Sequence, residues 1–397
     1  MRADVAVVGA GPAGCFVGGI LAKRGFDVVI VEEHAEVGNP VCCAGIVSAS
    51  GLRELGIRPG EWILGKLRRA VIYPPSNQPI ELTRDRVEAF VVDRAEFDRS
   101  LAEEAARAGA KFFLRSRCTG VKLSGEPVLD VKGTRGGQLR ARLVVGADGP
   151  ASVIARKAGL VRAGRFLRSA QMEVLADTPE DTAEVYFGRS FAPGFFGWLV
   201  QAGDLTRAGV CCVEGDPLRM LHSFLRKHPV VSKKLSWGKV LNVCVGPIPE
   251  SWSRKIYADR LMLVGDAAGQ VKPLTGGGIY LGLSCARIAA EVAVRALEGE
   301  PNRRALQAYE RAVEGRFGEE FKLGLRARRI FEQMPDEEID AILGLLQRED
   351  IRELVLKNFD FDHHGRLVRV LAPEVPAILK ELGIKRALRY ARYLMAQ

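Results

Sequence analysis

Short apolar runs alternate with helical periodicity at the start of the chain. Val5–Val8 and Val28–Val31 are continuous apolar runs, as expected of parallel strands that are buried on both faces. The residues between them, up to about Arg24, favour a helix that Gly25 ends. The pattern predicts a strand–helix–strand unit of an α/β fold. The uncharged stretch from Val5 to Ala22 is therefore not predicted to be a membrane span, since it also contains glycines and a proline.

Later segments predict an antiparallel sheet. "RRAVIYPPSNQPIELT" predicts two strands around a Pro/Asn turn, and "AEVYFGRSFAPGFFGWLVQAGDLTRAGVCCVEG" predicts three strands with glycine turns. From about residue 301 the apolar spacing becomes helical. We therefore expect an α/β domain, an inserted antiparallel β domain and a C-terminal helical region. These comprise, in that order, residues 1–66, 92–158 and 255–300; residues 67–91 and 159–254; and residues 301–397.

The turn after the first strand has the spacing of a dinucleotide-binding motif. Gly9, Gly11 and Gly14 form G-x-G-x-x-G. In such motifs the first glycine makes a tight turn, the second lets the backbone approach a pyrophosphate, and the third lets the helix pack on the sheet. The motif residues predicted to bind a cofactor are Gly9, Gly11, Pro12, Ala13 and Gly14.

An acidic pair follows the second strand. Glu32 lies 23 residues after Gly9 and is followed by Glu33. A carboxylate at Glu32 suits a hydrogen bond to a ribose 2′-hydroxyl and disfavours the additional phosphate of NADP. The complete unit predicts a dinucleotide site and leaves FAD and NAD both open.

Two later predicted strands are also followed by a carboxylate and glycines, the first at Asp148 and the second at Asp266. A carboxylate there can accept hydrogen bonds from a ribityl chain, and a glycine-rich turn before a helix lets the backbone approach a flavin. The alternative for Asp148 and Asp266 is a turn carboxylate that caps its own loop. The residues predicted to bind the cofactor in these segments are Asp148, Gly149, Gly265, Asp266, Gly276, Gly277, Gly278 and Ile279.

The composition is that of a globular protein with a basic surface. The chain is 47% hydrophobic and 27% charged, and its formal net charge is +10. A positive surplus favours a phosphorylated substrate, an anionic membrane surface or nucleic acid, with a merely solvated surface as the alternative. No recognition motif supports nucleic acid, so no nucleic-acid partner is expected. Without a convincing signal peptide, we expect a cytoplasmic protein, with peripheral membrane contact left open.

The C-terminal stretch "IKRALRYARYLMAQ" is a candidate for that membrane contact. It is basic and amphipathic, with Leu388, Tyr390 and Tyr393 available for an apolar face. The alternative is a terminal helix packed on the core with solvated arginines.

Two of the eight cysteines are adjacent, in "PVCCAGIVS". No cysteines have C-x-x-C spacing and no paired-histidine motif lies nearby, so no metal site is predicted. A disulfide between Cys42 and Cys43 would close a strained eight-membered ring and is disfavoured. We expect the Cys42 side chain to point away from the candidate cofactor site and to pack within the protein.

The order G-x-G-x-x-G, D-G, G-D over residues 3 to 300 resembles that of FAD-dependent oxidoreductases of the p-hydroxybenzoate hydroxylase type. The resemblance implies FAD as the cofactor, bound by a Rossmann-like α/β domain into which an antiparallel β-sheet substrate domain is inserted. It also implies two further cofactor-binding residues. Arg94 would begin a helix that packs by the flavin, and the backbone of Cys118 would contact adenine.

The segments "CCAGIVS" and "PGFFGWLV" are similar to those of the geranylgeranyl reductase family, which includes the archaeal digeranylgeranylglycerophospholipid reductases. The resemblance implies reduction of isolated C=C bonds in geranylgeranyl chains of isoprenoid lipids or prenyl diphosphates, with hydride from N5 of reduced FAD. Cys43 would lie near the flavin and supply a proton or tune access. Ala44 and Gly45 would allow close backbone approach to the cofactor.

Phe196 and Trp198 would form an aromatic wall for the isoprenoid chain, with ordinary strand core as the alternative. The sequence departs from the family here, because Phe196 replaces the motif tyrosine and the closing Phe-Pro is absent. The missing hydroxyl weakens any role of this position in proton relay.

Several alternatives and partners stay open. The same fold serves FAD-dependent monooxygenases and halogenases that act on aromatic or other apolar substrates, and prenyl-binding escort proteins that have lost flavin binding. No second dinucleotide-binding unit follows in the sequence. The electron donor can therefore be transiently bound NAD(P)H, ferredoxin or another carrier protein.

Overall fold

The computed structural model describes residues 1–160, 165–236, 238–250 and 255–371. The chain divides into two compact units. The first unit comprises Met1–Val41, Arg94–Arg165 and Ile248–Glu319, and the second comprises Cys42–Asp93, Phe166–Pro247 and the described residues from Glu320 onward. The boundaries expected from the sequence differ by placing residues 42–66 with the first unit and by setting residues from 301 apart.

Strands and helices are numbered in chain order. The strands are β1 (Arg2–Val8), β2 (Val28–Val31), β3 (Ile46–Ser48), β4 (Ile63–Leu67), β5 (Arg69–Tyr73), β6 (Ile80–Thr83), β7 (Ala89–Val92), β8 (Lys111–Phe113), β9 (Ser116–Lys122), β10 (Val128–Gly133), β11 (Gly137–Gly146), β12 (Phe166–Leu175), β13 (Thr182–Tyr186), β14 (Gly197–Ala202), β15 (Leu205–Cys212), β16 (Lys239–Pro249), β17 (Tyr257–Ala258) and β18 (Leu261–Leu263).

The helices are α1 (Pro12–Lys23), α2 (Ala49–Glu54), α3 (Arg94–Arg107), α4 (Val153–Lys157), α5 (Pro217–Lys227), α6 (Val231–Lys234), α7 (Ile279–Leu297), α8 (Arg303–Gln333), α9 (Asp336–Gly344), α10 (Glu349–Asn358) and α11 (Gly365–Leu371). Short 3-10 turns lie at Gly265–Ala268 and Leu345–Gln347.

The first unit is built on a sheet with parallel central strands. The strand order is β17-β18-β11-β1-β2-β8, and β9 and β10 extend it from β11. β1 pairs in parallel with β2 and β11, and β11 pairs in parallel with β18. The register aligns Val31, Val8, Gly146 and Leu263 in one row. Their carboxyl ends therefore share one edge, where ligands bind in open α/β sheets.

Helix α1 packs on this sheet through small and apolar residues. Cys15, Val17 and Leu21 are fully buried. Gly18 lies so close to Ile30 of β2 that an added Cβ would be 2.8 Å from its Cδ1. The uncharged stretch at the start of the chain is thus buried strand and helix within a globular unit.

The second unit contains two sheets. The larger has the order β16-β12-β15-β14-β13-β5-β6, and the smaller has the order β3-β7-β4. The predicted hairpin β5–β6 and the predicted strands β13, β14 and β15 are present, and the pairs β13–β14 and β14–β15 are antiparallel. β13 pairs in parallel with β5, so the larger sheet is not wholly antiparallel.

Helices α5 and α6 correct the expectation that residues 159–254 are strands throughout. Asp216 accepts a hydrogen bond from the Arg219 amide at 2.8 Å, and Pro217 occupies the first turn. These residues begin a helix, since a carboxylate cap satisfies a free amide and proline needs none. Leu221 and Phe224 are fully buried and pack against the larger sheet.

The C-terminal part is helical as predicted, from α8 to α11. The stretch with Leu388, Tyr390 and Tyr393 lies outside the described residues. Across the parts of the chain that the structure describes, no helix is both long enough and apolar enough to cross a membrane.

A histidine in the core of the second unit gives a pH prediction. His228 is buried, and its ring lies edge-on to Tyr186, Phe191 and Phe224. Its Nδ1 accepts from the amides of Val230 and Val231 at 3.3 and 3.4 Å, where α6 begins. Burial lowers the pKa of His228 from 6.5 to about 4, so the folded protein holds the ring neutral.

The folded-state pKa lies below the unfolded value, so stability is fully present above pH 6.5 and falls as the pH drops toward 4. The variant His228→Asn keeps an acceptor and cannot titrate. Between pH 7 and 4.5 we expect wild type to lose about 2 kcal/mol more unfolding free energy than the variant, measured by urea denaturation. An equal loss in both proteins would contradict this assignment.

Candidate active site

Two glycines of the turn after β1, Gly14 and Gly11, differ in what surrounds the position of an added side chain. At Gly14 an added Cβ would lie 2.0 Å from the Gly9 carbonyl oxygen, so the protein's own packing requires glycine. At Gly11 an added Cβ would meet no atom within 4 Å, and the backbone angles of −69° and 178° suit any residue. No packing contact among the described residues requires glycine at position 11, and the prediction that a pyrophosphate approaches the backbone here would account for it.

The helices that begin at this glycine turn and at Gly278 lack side-chain caps. No side chain caps the first amides of α1 or α7, and neither has an acidic residue in its first turn. Helices α2, α4 and α5 differ, because a serine or aspartate side chain caps each of them. Uncapped amides at the positive end of a helix favour anionic or electron-rich ligands. Pro12 and Ile279 are the first residues of these two helices.

Glu32 follows β2 and bonds to the glycine turn. Its carboxylate accepts from the Ala10 amide at 2.8 Å and from the His34 amide at 2.9 Å. It therefore lies beside the turn where a ribose is expected. Glu33 instead forms an ion pair with Arg117 at 3.2 Å.

Asp148 caps helix α4. Its carboxylate accepts from the Ser152 hydroxyl at 2.6 Å and from the amides of Val153 and Ile154 at 2.7 and 3.1 Å. These are the contacts of the capping alternative, and Gly149 follows in the same turn with φ 72°. A cofactor contact at Asp148 and Gly149 stays a prediction.

Asp266 lies beside the start of α7. Its Oδ1 is 3.1 Å from the position of an added Cβ on Gly278, so a side chain there would press on the carboxylate. Burial raises the pKa of Asp266, and the positive charge of Arg94 opposes the rise. Arg94 is the first residue of α3, as predicted, and it donates two hydrogen bonds of 3.0 Å to Asp98.

The remaining residues of this segment form a close-packed turn. Gly265 approaches Ala13 of α1, where an added Cβ would be 3.1 Å from the alanine Cβ. Gly276 donates to the Lys272 carbonyl at 2.9 Å, and Gly277 accepts from the Lys272 amide at 3.1 Å. The structure thus brings Ala13 against Gly265 through the packing of α1 and the Gly265–Ala268 turn.

Cys118 lies on β9 beside a basic cavity of about 390 Å³. The cavity is lined by Arg117, Cys118, Thr119, Lys132, Val153, Arg156 and Lys157. Burial raises the pKa of Cys118 to about 11, so its thiol is not a reactive group. Contact of the Cys118 backbone with adenine stays a prediction.

The second unit contains the adjacent cysteines, and it corrects the expectation for Cys42. Cys42 forms a disulfide with Cys244 of β16, 202 residues away. Cys43 stays free and is half-buried, and its Sγ accepts from the Gly45 amide at 3.3 Å. The other free cysteines are buried. Cys43 is therefore the most accessible free thiol of the chain.

Two buried polar side chains bind the backbone of this turn. Arg207 of β15 donates to the carbonyls of Ala44 and Val92 at 3.1 and 2.9 Å. Gln171 of β12 donates to the Cys43 carbonyl at 3.0 Å. Gly45 has φ 75°, and an added Cβ would lie 2.4 Å from Arg207 Nη1. The contact with Arg207 thus requires glycine at position 45, and close approach of this backbone to the cofactor stays a prediction.

Sequence reasoning missed Gln171 and Arg207. Each is a long polar residue within an otherwise mostly apolar strand, and this was the available signal. Both are buried, and a buried polar side chain needs partners. Their partner, the Cys43–Gly45 turn, is too distant in sequence for local pattern to reveal.

The aromatic residues of the segment "PGFFGWLV" differ in how deeply they are buried. Phe195 is buried, and the Arg328 guanidinium lies 4.3 Å from its ring centre. Phe196 and Trp198 are only half-buried, with ring centres 6.4 Å apart. Phe195 is therefore part of the core, whereas Phe196 and Trp198 each keep some aromatic surface exposed.

Comparison with known proteins supports a flavoprotein. A family model described as FAD binding domain matches residues 2–196. Digeranylgeranylglycerophospholipid reductase 2 of Methanopyrus kandleri is 37% identical, and the alignment covers 100% of both chains. A crystal structure of a geranylgeranyl bacteriochlorophyll reductase-like protein from Thermoplasma acidophilum has a TM-score of 0.85 at 27% identity, covering 96% of this chain and 98% of that chain. The predicted fold class and the predicted cofactor, FAD, are confirmed.

The fold also occurs in a monooxygenase. The structure of p-nitrophenol 4-monooxygenase from Pseudomonas putida has a TM-score of 0.73 at 17% identity, covering 90% of this chain and 98% of that chain. At this identity the likeness concerns the fold alone.

Alanine at position 14 should mainly lower stability, whereas alanine at position 11 should mainly weaken FAD binding. Gly14→Ala should lower the unfolding free energy by about 2 kcal/mol, because its Cβ overlaps the Gly9 carbonyl. Gly11→Ala should cost less than about 1 kcal/mol but weaken FAD binding about tenfold or more, because its Cβ meets the pyrophosphate. Urea denaturation of apoprotein and FAD titration measure the two effects. Wild-type FAD affinity in Gly11→Ala would contradict the placement of the pyrophosphate.

Proposed function

Because the chain belongs to the digeranylgeranylglycerophospholipid reductase family, we propose that it uses FAD to reduce isolated C=C bonds in the geranylgeranyl chains of isoprenoid ether lipids. One observation carries the proposal beyond the family match. The two segments with family-specific sequence are joined by hydrogen bonds, from the Trp198 indole to Gln171 and from Gln171 to the Cys43 carbonyl. The residues proposed for substrate and proton thus form one connected group.

The first unit supplies the residues for the cofactor. The uncapped start of α1 and the unhindered backbone at Gly11 suit the pyrophosphate, and Glu32 suits the ribose. The uncapped start of α7 suits electron-rich ring oxygens. Reduced FAD, when bound, would supply the hydride for the alkene.

The second unit supplies the residues for the lipid. Phe196 and Trp198 offer half-buried aromatic surface, and an isoprenoid chain can be recognised only through such apolar area, since it has no hydrogen-bonding groups. Reduction needs a proton at the alkene carbon that does not receive hydride. We propose that the Cys43 thiol donates it, and that solvent then reprotonates the half-buried sulfur.

The phenylalanine at position 196 supports Cys43 as the proposed proton donor. The family motif has a tyrosine at this position, and phenylalanine has no proton to donate. If proton delivery depends on a side chain of these two segments, Cys43 is the remaining acid, since an indole N–H does not ionise at physiological pH. The proposal therefore assigns proton delivery to Cys43 and substrate contact to Phe196 and Trp198.

We also propose the kind of partners that the reaction requires. Electrons must reach FAD from NAD(P)H, ferredoxin or another carrier. The net charge of +10 favours approach to anionic lipid headgroups at a membrane surface. The alternative reaction, oxygenation or halogenation of an aromatic substrate, is not favoured, because the relatives that support function are reductases.

An anaerobic single-turnover experiment tests the reaction. The purified protein is loaded with FAD, reduced with dithionite and mixed with an ether lipid that carries geranylgeranyl chains, or with geranylgeranyl diphosphate. We expect the flavin to reoxidise and the product mass to rise by two hydrogens per reduced bond. No turnover with either lipid would contradict the proposal.

The variant Cys43→Ser tests the proton donor. A serine hydroxyl is a much weaker acid than a thiol, so the reoxidation rate at saturating lipid should fall about 100-fold, with little change in the apparent KM. Cys212→Ser is the matched control, because Cys212 is a buried free cysteine of the same unit. Equal rates in Cys43→Ser and wild type would remove Cys43 from proton delivery.

A further inference from the structure

The side-chain amide of Gln171 makes two hydrogen bonds, one as an acceptor and one as a donor. Its Oε1 accepts from the Trp198 indole Nε1 at 3.1 Å, and its Nε2 donates to the Cys43 carbonyl at 3.0 Å. An indole N–H can only donate and a carbonyl can only accept, so these partners fix which way the amide points. Glutamate cannot donate to the carbonyl, and lysine or arginine cannot accept from the indole. The two partners therefore specify an uncharged amide at this position.

The sheet is arranged to allow this connection. Gln171 of β12 pairs with Gly209 of β15, and Gly209 pairs with Trp198 of β14. The three residues form one row across neighbouring strands. At Gly209 an added Cβ would lie 2.2 Å from Trp198 Cζ2, so only glycine lets the indole lie across the middle strand toward Gln171.

The turn is held at three successive residues. Cys42 is bonded to Cys244 of β16, the Cys43 carbonyl to Gln171 of β12, and the Ala44 carbonyl to Arg207 of β15. These strands are neighbours in the order β16-β12-β15. The Cys43 thiol is the one side chain among these three residues that can still react as an acid, and its Sγ accepts from the Gly45 amide at 3.3 Å.

From these contacts we infer that Gln171 is a positioning residue that fixes the Cys43 thiol relative to the Trp198 ring. The inference rests on the proposed function, in which the thiol donates the proton and the ring contacts the lipid. Gln171 touches neither reacting atom. Replacement of Gln171 should therefore slow the chemical step and leave lipid affinity nearly unchanged, since a misplaced proton donor lowers the reaction rate more than it weakens substrate binding.

Two substitutions separate the bonds of Gln171. Gln171→Leu removes both, whereas Gln171→Glu keeps the shape and the acceptor for Trp198 and replaces the donor to the Cys43 carbonyl with a carboxylate. Gln201→Leu is the matched control. Gln201 is a buried glutamine of the same sheet that accepts from the Thr178 amide at 2.9 Å and donates to the Gly203 carbonyl at 2.8 Å. Among the described residues, Gln201 has no hydrogen bond to Cys43 or Trp198.

The first measurement is the rate at which iodoacetamide alkylates Cys43 in the folded FAD-loaded protein, followed by mass spectrometry of the peptide. It does not depend on lipid reduction. We expect Gln171→Leu and Gln171→Glu to raise the rate about threefold or more, because the turn loses a bond that orients the thiol, and Gln201→Leu to leave it unchanged. If lipid reduction fails in the wild type, this measurement still decides whether Gln171 positions Cys43.

The second measurement is anaerobic flavin reoxidation by lipid. Both Gln171 variants should show about a tenfold lower rate at saturating lipid, with the apparent KM close to that of the wild type. Rates and alkylation equal to those of Gln201→Leu would overturn the inference and leave Gln171 with a structural role only. If Gln171→Leu does not fold, Gln171→Glu, which has the same size, decides the question by the same two measurements.

Discussion

The buried guanidinium of Arg207 joins parts of the second unit that are far apart in sequence. It donates to the carbonyls of Ala44 and Val92 and forms an ion pair with Glu173 at 3.2 Å. A buried cation is costly unless its charge is paired and its N–H groups have acceptors. Glu173 pairs the charge, and the three partners together accept from the Nε and Nη1 groups. The interaction in turn requires glycine at position 45, because any Cβ would collide with the guanidinium. The turn that carries Cys43 thus depends on one residue of β15, and the row of Gln171, Gly209 and Trp198 builds on the same strands.

The first unit follows a different principle, in which the backbone rather than a side chain prepares the site. Strands β2, β1, β11 and β18 end in one row, so the glycine turn and the residues after each strand lie along one edge. Within it, an added Cβ at Gly14 would overlap the Gly9 carbonyl, whereas an added Cβ at Gly11 would meet no atom of the described residues within 4 Å. Packing therefore explains the glycine at position 14, whereas the glycine at position 11 is predicted to serve cofactor binding. The match to an FAD-binding family model gives FAD as the cofactor, and its contact with Gly11 stays a prediction.

Local pattern predicted the elements that depend on local physics. The apolar runs, the glycine spacing and the strand ends of the first unit lie within short stretches of chain, and Arg94 begins its helix as expected. The bond between Cys42 and Cys244 and the contacts of Gln171 and Arg207 depend instead on which strands become neighbours and in which register. A sequence does not state this register, and a shift by one residue would reverse the face of every side chain. The capping bonds of Asp148 show the converse, because a motif residue can be engaged by its own loop.

If Arg207 holds the Cys43 turn in the second unit, the free energy of unfolding should fall in Arg207→Met. Methionine is apolar and can fill much of the space, but it leaves the two carbonyls and Glu173 without their partner. Urea denaturation should show a loss of about 3 kcal/mol relative to the wild type. A loss below about 0.5 kcal/mol, the range of an uninvolved surface substitution, would contradict the account.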